Sequence, residues 1–248
     1  MTPRALITGG QQGIGLGIAR ALRDAGFGIV IAAEAAADSP NVQAALAELG
    51  PQARYVQHDL KDIDAAQALV AKVGPISTYI SNAGVPARLR GDMLDITPDN
   101  FDHVMDVNLR GGFFLAQAVA KAMLAQDPLP YRSMIFVTSV SAAMASPERA
   151  EYCMSKAAAS MMATTFALRL ASTGIGVFEL RPGVIDTAMT AGVRDAYTAR
   201  IEGGLVPALR WGDPADIGQV VVPLAQGQMS FATGAIIPVD GGLSISRL

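Results

Sequence analysis

The chain has 248 residues, of which 51% are hydrophobic and 17% are charged, and its formal net charge at pH 7 is −3. This composition is typical of a compact globular protein, and the lack of Lys/Arg runs excludes nucleic acid and anionic membranes as expected partners. One Cys and two His are too few for the usual metal clusters, and neither a signal peptide nor an apolar stretch of ~20 residues is present, so we expect a soluble, cytoplasmic protein without a metal.

Seven apolar runs have the length and composition of buried parallel strands. They span Ala5–Thr8, Ile29–Ala33, Arg54–Gln57, Ser77–Ser81, Met134–Ser139, Gly176–Leu180 and Ala235–Val239. Segments with helical periodicity lie between them, at Ile14–Ala25, Asn41–Leu49, Ile63–Val73, Pro98–Ala125, Arg149–Ser172 and Pro214–Ala225. The alternation predicts an α/β fold, a doubly wound, Rossmann-type sheet of seven parallel strands with helices on both faces. Such sheets bind ligands at the carboxyl ends of their strands.

A glycine-rich segment, Thr8-Gly9-Gly10-Gln11-Gln12-Gly13-Ile14-Gly15, follows the first predicted strand and opens the first predicted helix. Glycines in this position permit a tight turn and let backbone N–H groups approach a pyrophosphate at the positive end of the helix. The context favours a dinucleotide site over the alternative, an ordinary strand-to-helix turn. No linker or repeat divides the chain, so we expect residues 1–248 to form a single NAD(P)-binding domain.

The least regular stretch lies at about 185–211 and is too long for an ordinary connection between a strand and a helix. Long loops in compact domains are often lids or binding loops. We therefore expect residues 185–211 to form an irregular loop at the mouth of the substrate site.

The glycine spacing, Gly-x-x-x-Gly-x-Gly, resembles that of the short-chain dehydrogenase/reductase family, and further motifs follow in the order and at the spacing of that family. They are Asp59-Leu60, Ser81-Asn82-Ala83-Gly84, Val107-Asn108, Ser139, Tyr152-x-x-x-Lys156, and Arg181-Pro182-Gly183 through Thr187. One residue departs from the pattern, since Ser81 stands where the family has Asn. The resemblance covers nearly the whole chain and implies an NAD(P)-dependent enzyme that interconverts a carbonyl and a secondary alcohol by hydride transfer.

Two sets of site residues are expected. The resemblance, with the position of Glu34 after the second strand, assigns cofactor contacts to Gly9, Gln12, Gly13, Ile14, Gly15, Glu34, Asp59, Leu60, Asn82, Ala83, Gly84, Tyr152, Lys156, Pro182, Gly183, Ile185 and Thr187. The catalytic residues are expected to be Asn108, Ser139, Tyr152 and Lys156.

Tyr152 and Lys156 are four residues apart on a predicted helix, so their side chains project from one face. A neighbouring ammonium favours the phenolate, which suits Tyr152 to act as the acid/base. Without the other motifs, the same pair would be read as a lysine extending past a half-buried tyrosine.

Ser139, at the end of the fifth strand, is expected to hydrogen-bond the substrate oxygen, and Ser141 is the competing candidate. The resemblance implies that Asn108 lies at a local break in its helix. There it would hold a water that links Lys156 to solvent. The alternative is a surface amide.

Glu34 lies about 20 residues beyond the glycine loop, where a carboxylate can accept hydrogen bonds from the ribose 2′-hydroxyl of NAD. It would repel a 2′-phosphate, and Gln12 supplies no positive charge to offset this. We therefore favour NAD(H) over NADP(H). The alternative is that Ala33 occupies the discriminating position and Glu34 is only a solvated carboxylate.

The resemblance is strongest to the branch of 3-oxoacyl-acyl-carrier-protein reductases. A catabolic sugar, polyol or small-ketone dehydrogenase is the alternative, and a non-catalytic NAD(H)-binding sensor is an alternative of another class. The substrate is expected to be a small carbonyl or alcohol. Arg88, Arg90 and Arg149 could meet an anionic or hydroxyl-rich substrate, although exposed loop arginines commonly have no ligand.

Relatives of this kind are commonly tetramers. The corresponding surfaces here are the Ala/Met-rich segment Ala157–Leu170 and the apolar tail Val239–Leu248. We expect a homotetramer, with a dimer as a further possibility and a terminus docked within one subunit as the alternative.

Overall fold

The computed structural model describes residues 2–127, 129 and 131–247, and seven strands in this part of the chain form one sheet. The strands are β1 (Arg4–Thr8), β2 (Gly28–Ala33), β3 (Arg54–Gln57), β4 (Thr78–Ser81), β5 (Arg132–Val137), β6 (Ile175–Pro182) and β7 (Ile236–Val239). Their order is β3-β2-β1-β4-β5-β6-β7, and every neighbouring pair is parallel. The predicted doubly wound α/β fold is therefore confirmed, and the order reverses between β1 and β4.

Helices cover both faces of this sheet. They are α1 (Gly13–Asp24), α2 (Pro40–Leu49), α3 (Ala66–Val73), α4 (Pro98–Met105), α5 (Gly112–Ala125), α6 (Ala150–Leu170), α7 (Arg194–Glu202) and α8 (Pro214–Ala225). None of the helices in the described residues is long and apolar enough to cross a membrane.

The core is split into two layers because side chains alternate across each strand. Leu6 and Phe136 belong to the layer that packs under α3, α5 and α6. Ile7 and Ile135, their neighbours in sequence, belong to the layer under α1, α2 and α8. Both faces of the five inner strands are mostly buried, so these strands are nearly continuous apolar runs, whereas the edge strands β3 and β7 are more exposed.

The helix predicted over Pro98–Ala125 is divided in the structure. Between α4 and α5 the backbone widens into a π-helical turn over Asp106–Gly111. The turn contains Asn108, so the break that the family resemblance implied is present. The carbonyl of Leu60 packs against Gly111 so closely that a Cβ there would lie 2.1 Å from its oxygen.

The prediction of an irregular loop over 185–211 is wrong for its middle part. A 3-10 segment, Ala188–Val193, leads directly into α7, whose only buried residue is Ile201. A helix with a single buried apolar residue has no periodic pattern for sequence analysis to detect. The structure therefore places a helix, rather than an unstructured loop, in this part of the chain.

Candidate active site

Two clefts open at the carboxyl ends of the strands and meet at Tyr152. The first lies over β1, β2 and β4, and the second lies between the ends of β5 and β6 and the segment that carries α7. Five residues line both clefts: Ile14, Thr138, Tyr152, Thr187 and Met189. A ligand that fills the first cleft would therefore reach a second ligand at the Tyr152 side chain.

The glycine loop forms one wall of the first cleft. Gly9 has a φ of +67°, a conformation that favours glycine, and a Cβ at Gly15 would lie 2.2 Å from the Gly9 carbonyl oxygen. Helix α1 begins at Gly13, so its unpaired N–H groups face the cleft and could bind phosphate. Fourteen of the predicted cofactor contacts line this cleft: Gly9, Gln12, Gly13, Ile14, Gly15, Glu34, Asp59, Leu60, Asn82, Ala83, Gly84, Tyr152, Lys156 and Thr187.

Thr8 organises the floor of this cleft and is not among the predicted site residues. Its buried hydroxyl oxygen accepts hydrogen bonds from the amides of Asn82 (2.9 Å) and Ala83 (3.0 Å). The Asn82 side chain returns a hydrogen bond to the Thr8 carbonyl at 2.9 Å. These bonds fix the end of β1 to the loop after β4, at the point where the strand order reverses. The only signal in the sequence is a threonine at the last position of an apolar strand.

The other three predicted cofactor contacts do not line the first cleft. Pro182, Gly183 and Ile185 line the second cleft rather than the first. They are held there because the Gly183 amide donates to the carbonyl of Val239 at 3.1 Å and Ile185 pairs with Gly212. These three residues could contact only the part of a cofactor that reaches the junction of the clefts.

The end of the first cleft at which β2 and β3 terminate is acidic. Glu34 and Asp59 line it, and Lys156, the only Lys or Arg among the described lining residues, stands beside Tyr152. His58 also lines this cleft, and burial lowers the pKa of its imidazole against the opposing effect of Asp62 and Asp59. His58 is therefore neutral at pH 7 and adds no positive charge to this end.

Asn108 connects the π-helical turn to two other parts of the site. Its Oδ1 accepts from the Val85 amide at 2.7 Å, and its Nδ2 donates to the Val85 carbonyl at 3.0 Å and to Ser155 Oγ at 3.1 Å. Ser155 Oγ in turn donates to the carbonyl of Tyr152 at 2.8 Å. The alternative interpretation of Asn108 as a surface amide is therefore wrong, since the residue is only 7% exposed.

Tyr152 and Lys156 lie one turn apart on α6, as their spacing predicts. The Lys156 Nζ is 5.7 Å from the Tyr152 ring centroid and 3.5 Å from the carbonyl oxygen of Val137. A Cβ at Gly84 would lie 3.0 Å from Asn108 Oδ1 and 3.4 Å from Lys156 Nζ. Glycine at position 84 thus keeps a side chain out of the space between the amide and the ammonium.

Ser139 lies two residues beyond β5, rather than on the strand as predicted, and caps a short 3-10 turn over Val140–Ala142. Its Oγ accepts a hydrogen bond from the Ser141 amide at 3.0 Å, which leaves its own O–H free to donate. The competing hydroxyl, Ser141 Oγ, is fully buried without a hydrogen-bond partner in the described structure. The geometry therefore favours Ser139 over Ser141 as a donor to a ligand.

A carboxylate is buried on β6. Glu179 on β6 is 2% exposed, and its oxygens accept hydrogen bonds from Thr138 Oγ1 (2.6 Å), Ser160 Oγ (2.7 Å) and Arg181 Nε (2.7 Å). Arg181 Nη2 also donates to Ser160 Oγ at 2.8 Å. Each of the four side chains thus has a hydrogen-bond partner within the cluster, as a buried ion pair requires.

The Glu179 cluster sets the relative position of the predicted catalytic side chains. Thr138 directly precedes Ser139, and Ser160 lies one helical turn after Lys156. Glu179 therefore joins the end of β5 to α6. Sequence analysis missed it, although an acidic and a basic residue two apart in a buried strand, and so on the same face, were the available signal.

The three arginines considered as substrate contacts differ in position. Arg88 points away from the clefts, where its guanidinium donates to Asp99 and contacts His103, each at 3.0 Å. Arg90 and Arg149 line the second cleft. Arg88 is therefore not available to a substrate in this structure.

Comparisons with known proteins give a consistent result. The family model described as "Enoyl-(Acyl carrier protein) reductase" matches residues 9–244. The crystal structure of a 3-oxoacyl-[acyl-carrier protein] reductase from Brucella melitensis in complex with NAD is 47% identical, covers 100% of this chain and 99% of that one, and has a TM-score of 0.94. The 3-oxoacyl-[acyl-carrier-protein] reductase MabA of Mycobacterium bovis is 32% identical over 98% of this chain and 93% of its own length.

A sugar-acid enzyme is similar at the same level. The 2-dehydro-3-deoxy-D-gluconate 5-dehydrogenase of Pseudoalteromonas atlantica is 33% identical over 96% of this chain and 94% of its own. A structure from Agrobacterium tumefaciens with bound NADP is 32% identical, covers 97% of this chain and 96% of that one, and has a TM-score of 0.85. Both cofactors thus occur among similar structures.

The doubly wound sheet, the glycine loop and the tyrosine–lysine pair at one cleft define a dinucleotide-dependent oxidoreductase. The chain belongs to the short-chain dehydrogenase/reductase family and is an NAD(P)-dependent oxidoreductase of the 3-oxoacyl-acyl-carrier-protein reductase-like type.

The Glu179 cluster yields a stability prediction. We expect Glu179→Ala to lower the free energy of unfolding by about 3–5 kcal/mol, because it leaves Arg181 partly buried without its counter-charge. Urea unfolding followed by circular dichroism measures this. The exposed Glu202 is the matched control, and its replacement by Ala should change the free energy of unfolding by no more than about 0.5 kcal/mol. A loss below about 1 kcal/mol for Glu179→Ala would contradict the assignment.

Proposed function

We propose that this oxidoreductase interconverts a 3-oxoacyl-type carbonyl and the corresponding secondary alcohol, with Tyr152 as the acid/base and NAD(H) as the cofactor. The observation that carries the proposal is that the two clefts meet at Tyr152, with Lys156 lining one and Ser139 lining the other. A nicotinamide bound in the first cleft supplies or accepts the hydride. We further propose that residues 1–248 work as one domain and that the enzyme is cytoplasmic.

In the direction of reduction, the Tyr152 hydroxyl donates its proton to the substrate oxygen. The Ser139 O–H donates to that oxygen, since Ser139 Oγ accepts from the Ser141 amide and its own proton is free. The phenolate left on Tyr152 is stabilised by the ammonium of Lys156, whose Nζ lies 5.7 Å from the ring centroid. Oxidation of an alcohol runs through the same groups in reverse.

Asn108 is proposed to complete a proton path to Lys156. Its amide is held rigidly at the π-helical turn by Val85 and Ser155, and the small Gly84 leaves space between Asn108 and Lys156. A water bound in that space could pass protons from solvent to the ammonium and so reset Tyr152. The bidentate contact to Val85 means that Asn108 also shapes the loop after β4.

Replacement of the proposed acid/base tests the mechanism directly. We expect Tyr152→Phe to lower kcat with NADH and a 3-oxoacyl thioester at least about 100-fold, since general acid–base catalysis contributes roughly 10²–10⁴-fold. NADH binding, followed by fluorescence titration, should stay within about threefold.

Tyr197→Phe is the matched control, because Tyr197 lines the second cleft without touching Lys156, and it should keep near-normal turnover. If Tyr152→Phe kept its turnover, the proposed acid/base would be wrong. If the unaltered protein bound NADH but reduced no carbonyl on a panel of thioesters, polyols and ketones, the sensor alternative would gain support.

The preference for NAD is proposed from charge at the adenosine end. Glu34 and Asp59 would both repel a 2′-phosphate, and the neutral His58 and Gln12 do not compensate. The Gln12 carboxamide accepts a hydrogen bond from Asn41 at 3.5 Å, which keeps it at the rim of the cleft. The NAD bound to the Brucella relative is consistent with this choice.

A double substitution should reverse part of this preference. We expect Gln12→Arg with Glu34→Ser to raise the ratio of kcat/KM for NADPH to that for NADH by about tenfold or more, a change equivalent to about 1.4 kcal/mol. Steady-state kinetics with both cofactors measure the ratio. Asp38→Ser removes a nearby acidic residue that does not line the cleft and should leave the ratio unchanged. An unaltered enzyme that prefers NADPH would overturn the assignment to Glu34.

We propose a homotetramer because large apolar side chains are exposed on the surface of the subunit. Met161 and Leu168 on α6 are 65% and 83% exposed, and Phe231 beside β7 is fully exposed. Ile245, in the described part of the predicted tail 239–247, is 65% exposed. Large apolar side chains grouped on two surfaces are typical of subunit interfaces. A dimer that uses one of these surfaces is the alternative.

Sedimentation tests the assembly. At micromolar concentration we expect the mass of four copies of the 25.7 kDa chain, and Leu168→Glu should shift the protein to smaller species because it buries a charge in the α6 surface. Leu94→Glu, at a residue that is 86% exposed but remote from both surfaces in sequence, is the control and should leave the mass unchanged. A stable monomer would refute the proposal.

A further inference from the structure

The charged side chains that line the second cleft are all positive. Among the described residues that line it, the charged side chains are Arg90, Arg149 and Arg200, and none is Asp or Glu. The three arginines come from separate parts of the chain: the loop after β4, the turn before α6, and α7. The fold thus brings three positive charges to the cleft that Ser139 and Tyr152 share.

These three arginines, unlike Arg88 and Arg194, have no acidic partner in the described structure. Within the described part of the chain, ion pairs engage Arg88 with Asp99 and Arg194 with Asp186, whereas none engages the three cleft arginines. Instead, the guanidinium carbons of Arg149 and Arg200 each lie 5.4 Å from the centroid of a tyrosine ring. Like charges gathered at one cleft repel each other, so the arrangement favours an anion between them.

Arg149 is placed best to hold such an anion. It is half-buried, whereas Arg90 and Arg200 are exposed and more strongly screened by solvent. A hydrogen bond of 3.2 Å from the Gly91 amide to the Glu148 carbonyl fixes the loop of Arg90 next to that of Arg149. The ring over which Arg149 lies is that of Tyr152, the proposed proton donor.

We propose that the second cleft selects a short oxo acid or hydroxy acid, whose own carboxylate is bound by Arg149 with support from Arg90 and Arg200. The proposal rests on the proposed function, since it requires the reacting carbonyl to lie at Tyr152 and Ser139. With the Arg149 guanidinium over the Tyr152 ring, the carboxylate lies only a few bonds from the reacting carbon. A guanidinium binds a carboxylate through two parallel N–H···O bonds, which also orients the carbonyl.

The substrate class can be tested with matched acids and esters. We would measure kcat/KM with NADH for acetoacetate and levulinate, each beside its methyl ester, which keeps the ketone and removes the charge. The unaltered enzyme should prefer the acid by about tenfold to a hundredfold, the usual effect of a charge-assisted hydrogen bond on specificity. The preference should weaken as ionic strength rises.

Arg149→Gln should abolish this preference by raising KM for the acids while leaving kcat/KM for the esters within about threefold. Arg149→Lys, which keeps the charge but loses the bidentate geometry, should retain part of it. Arg88→Gln is the matched control, because Arg88 is paired with Asp99 outside the cleft. The KM-specific loss, restored in part by Lys, distinguishes carboxylate binding from a general structural defect.

Each other outcome has a defined meaning. If the esters are reduced as well as the acids, or if Arg149→Gln affects both alike, the carboxylate proposal is overturned while the proposed function stands. If the unaltered enzyme reduces a 3-oxoacyl thioester but neither acids nor esters, the carboxylate proposal is overturned while the proposed function stands. If it binds NADH but reduces none of the three, the proposed function and the carboxylate proposal fail together.

Discussion

The buried carboxylate of Glu179 is the contact on which the geometry of the active site depends. It is bonded to Thr138 at the end of β5, to Ser160 on α6 and to Arg181 on its own strand. Removing charges from water is costly, so a buried ion pair adds little to net stability. Ser160 Oγ donates to Glu179 and accepts from Arg181 Nη2, so two directional hydrogen bonds hold α6 against β6.

A fixed α6 matters because the proposed catalytic groups come from different elements. Ser139 follows β5, Tyr152 and Lys156 lie on α6, and Asn108 lies in the π-helical turn. Hydride and proton transfer tolerate only small errors in the distance between the reacting atoms. The Asn108–Ser155–Tyr152 chain ties the helix from the opposite side, so α6 is held at both the sheet and the turn.

The sequence was sufficient for the elements and the site motifs whose signal is local. Buried strands such as β1 and β6 are apolar runs, and the glycine loop and the Tyr152/Lys156 pair carry their chemistry in their spacing. Helix α7 was missed because only Ile201 gives it a buried face. Which arginines line the second cleft depends on how the chain folds, so sequence analysis could neither exclude Arg88 nor include Arg200.

Thr8 and Glu179 were missed for a related reason. Each occupies a strand position that is otherwise apolar, and apart from Arg181 the partners named above lie between 19 and 75 residues away. A polar residue in such a position signals a buried hydrogen bond, because an unpaired one would be costly. Its partner can be named only when the packing of the strands against the helices is known.

The π-helical turn at Asp106–Gly111 has the geometry of a regular helix into which one extra residue has been inserted. Loss of one residue there would let α4 and α5 join into a continuous helix with regular hydrogen bonds. The Asn108 carboxamide would then turn by about 100° and leave the Val85 amide and carbonyl unpaired. Helix propensity alone thus favours a segment that is one residue shorter. The length of the segment is therefore set by the site that it supports. Substitutions in α4 and α5 should be tolerated far more readily than insertions or deletions.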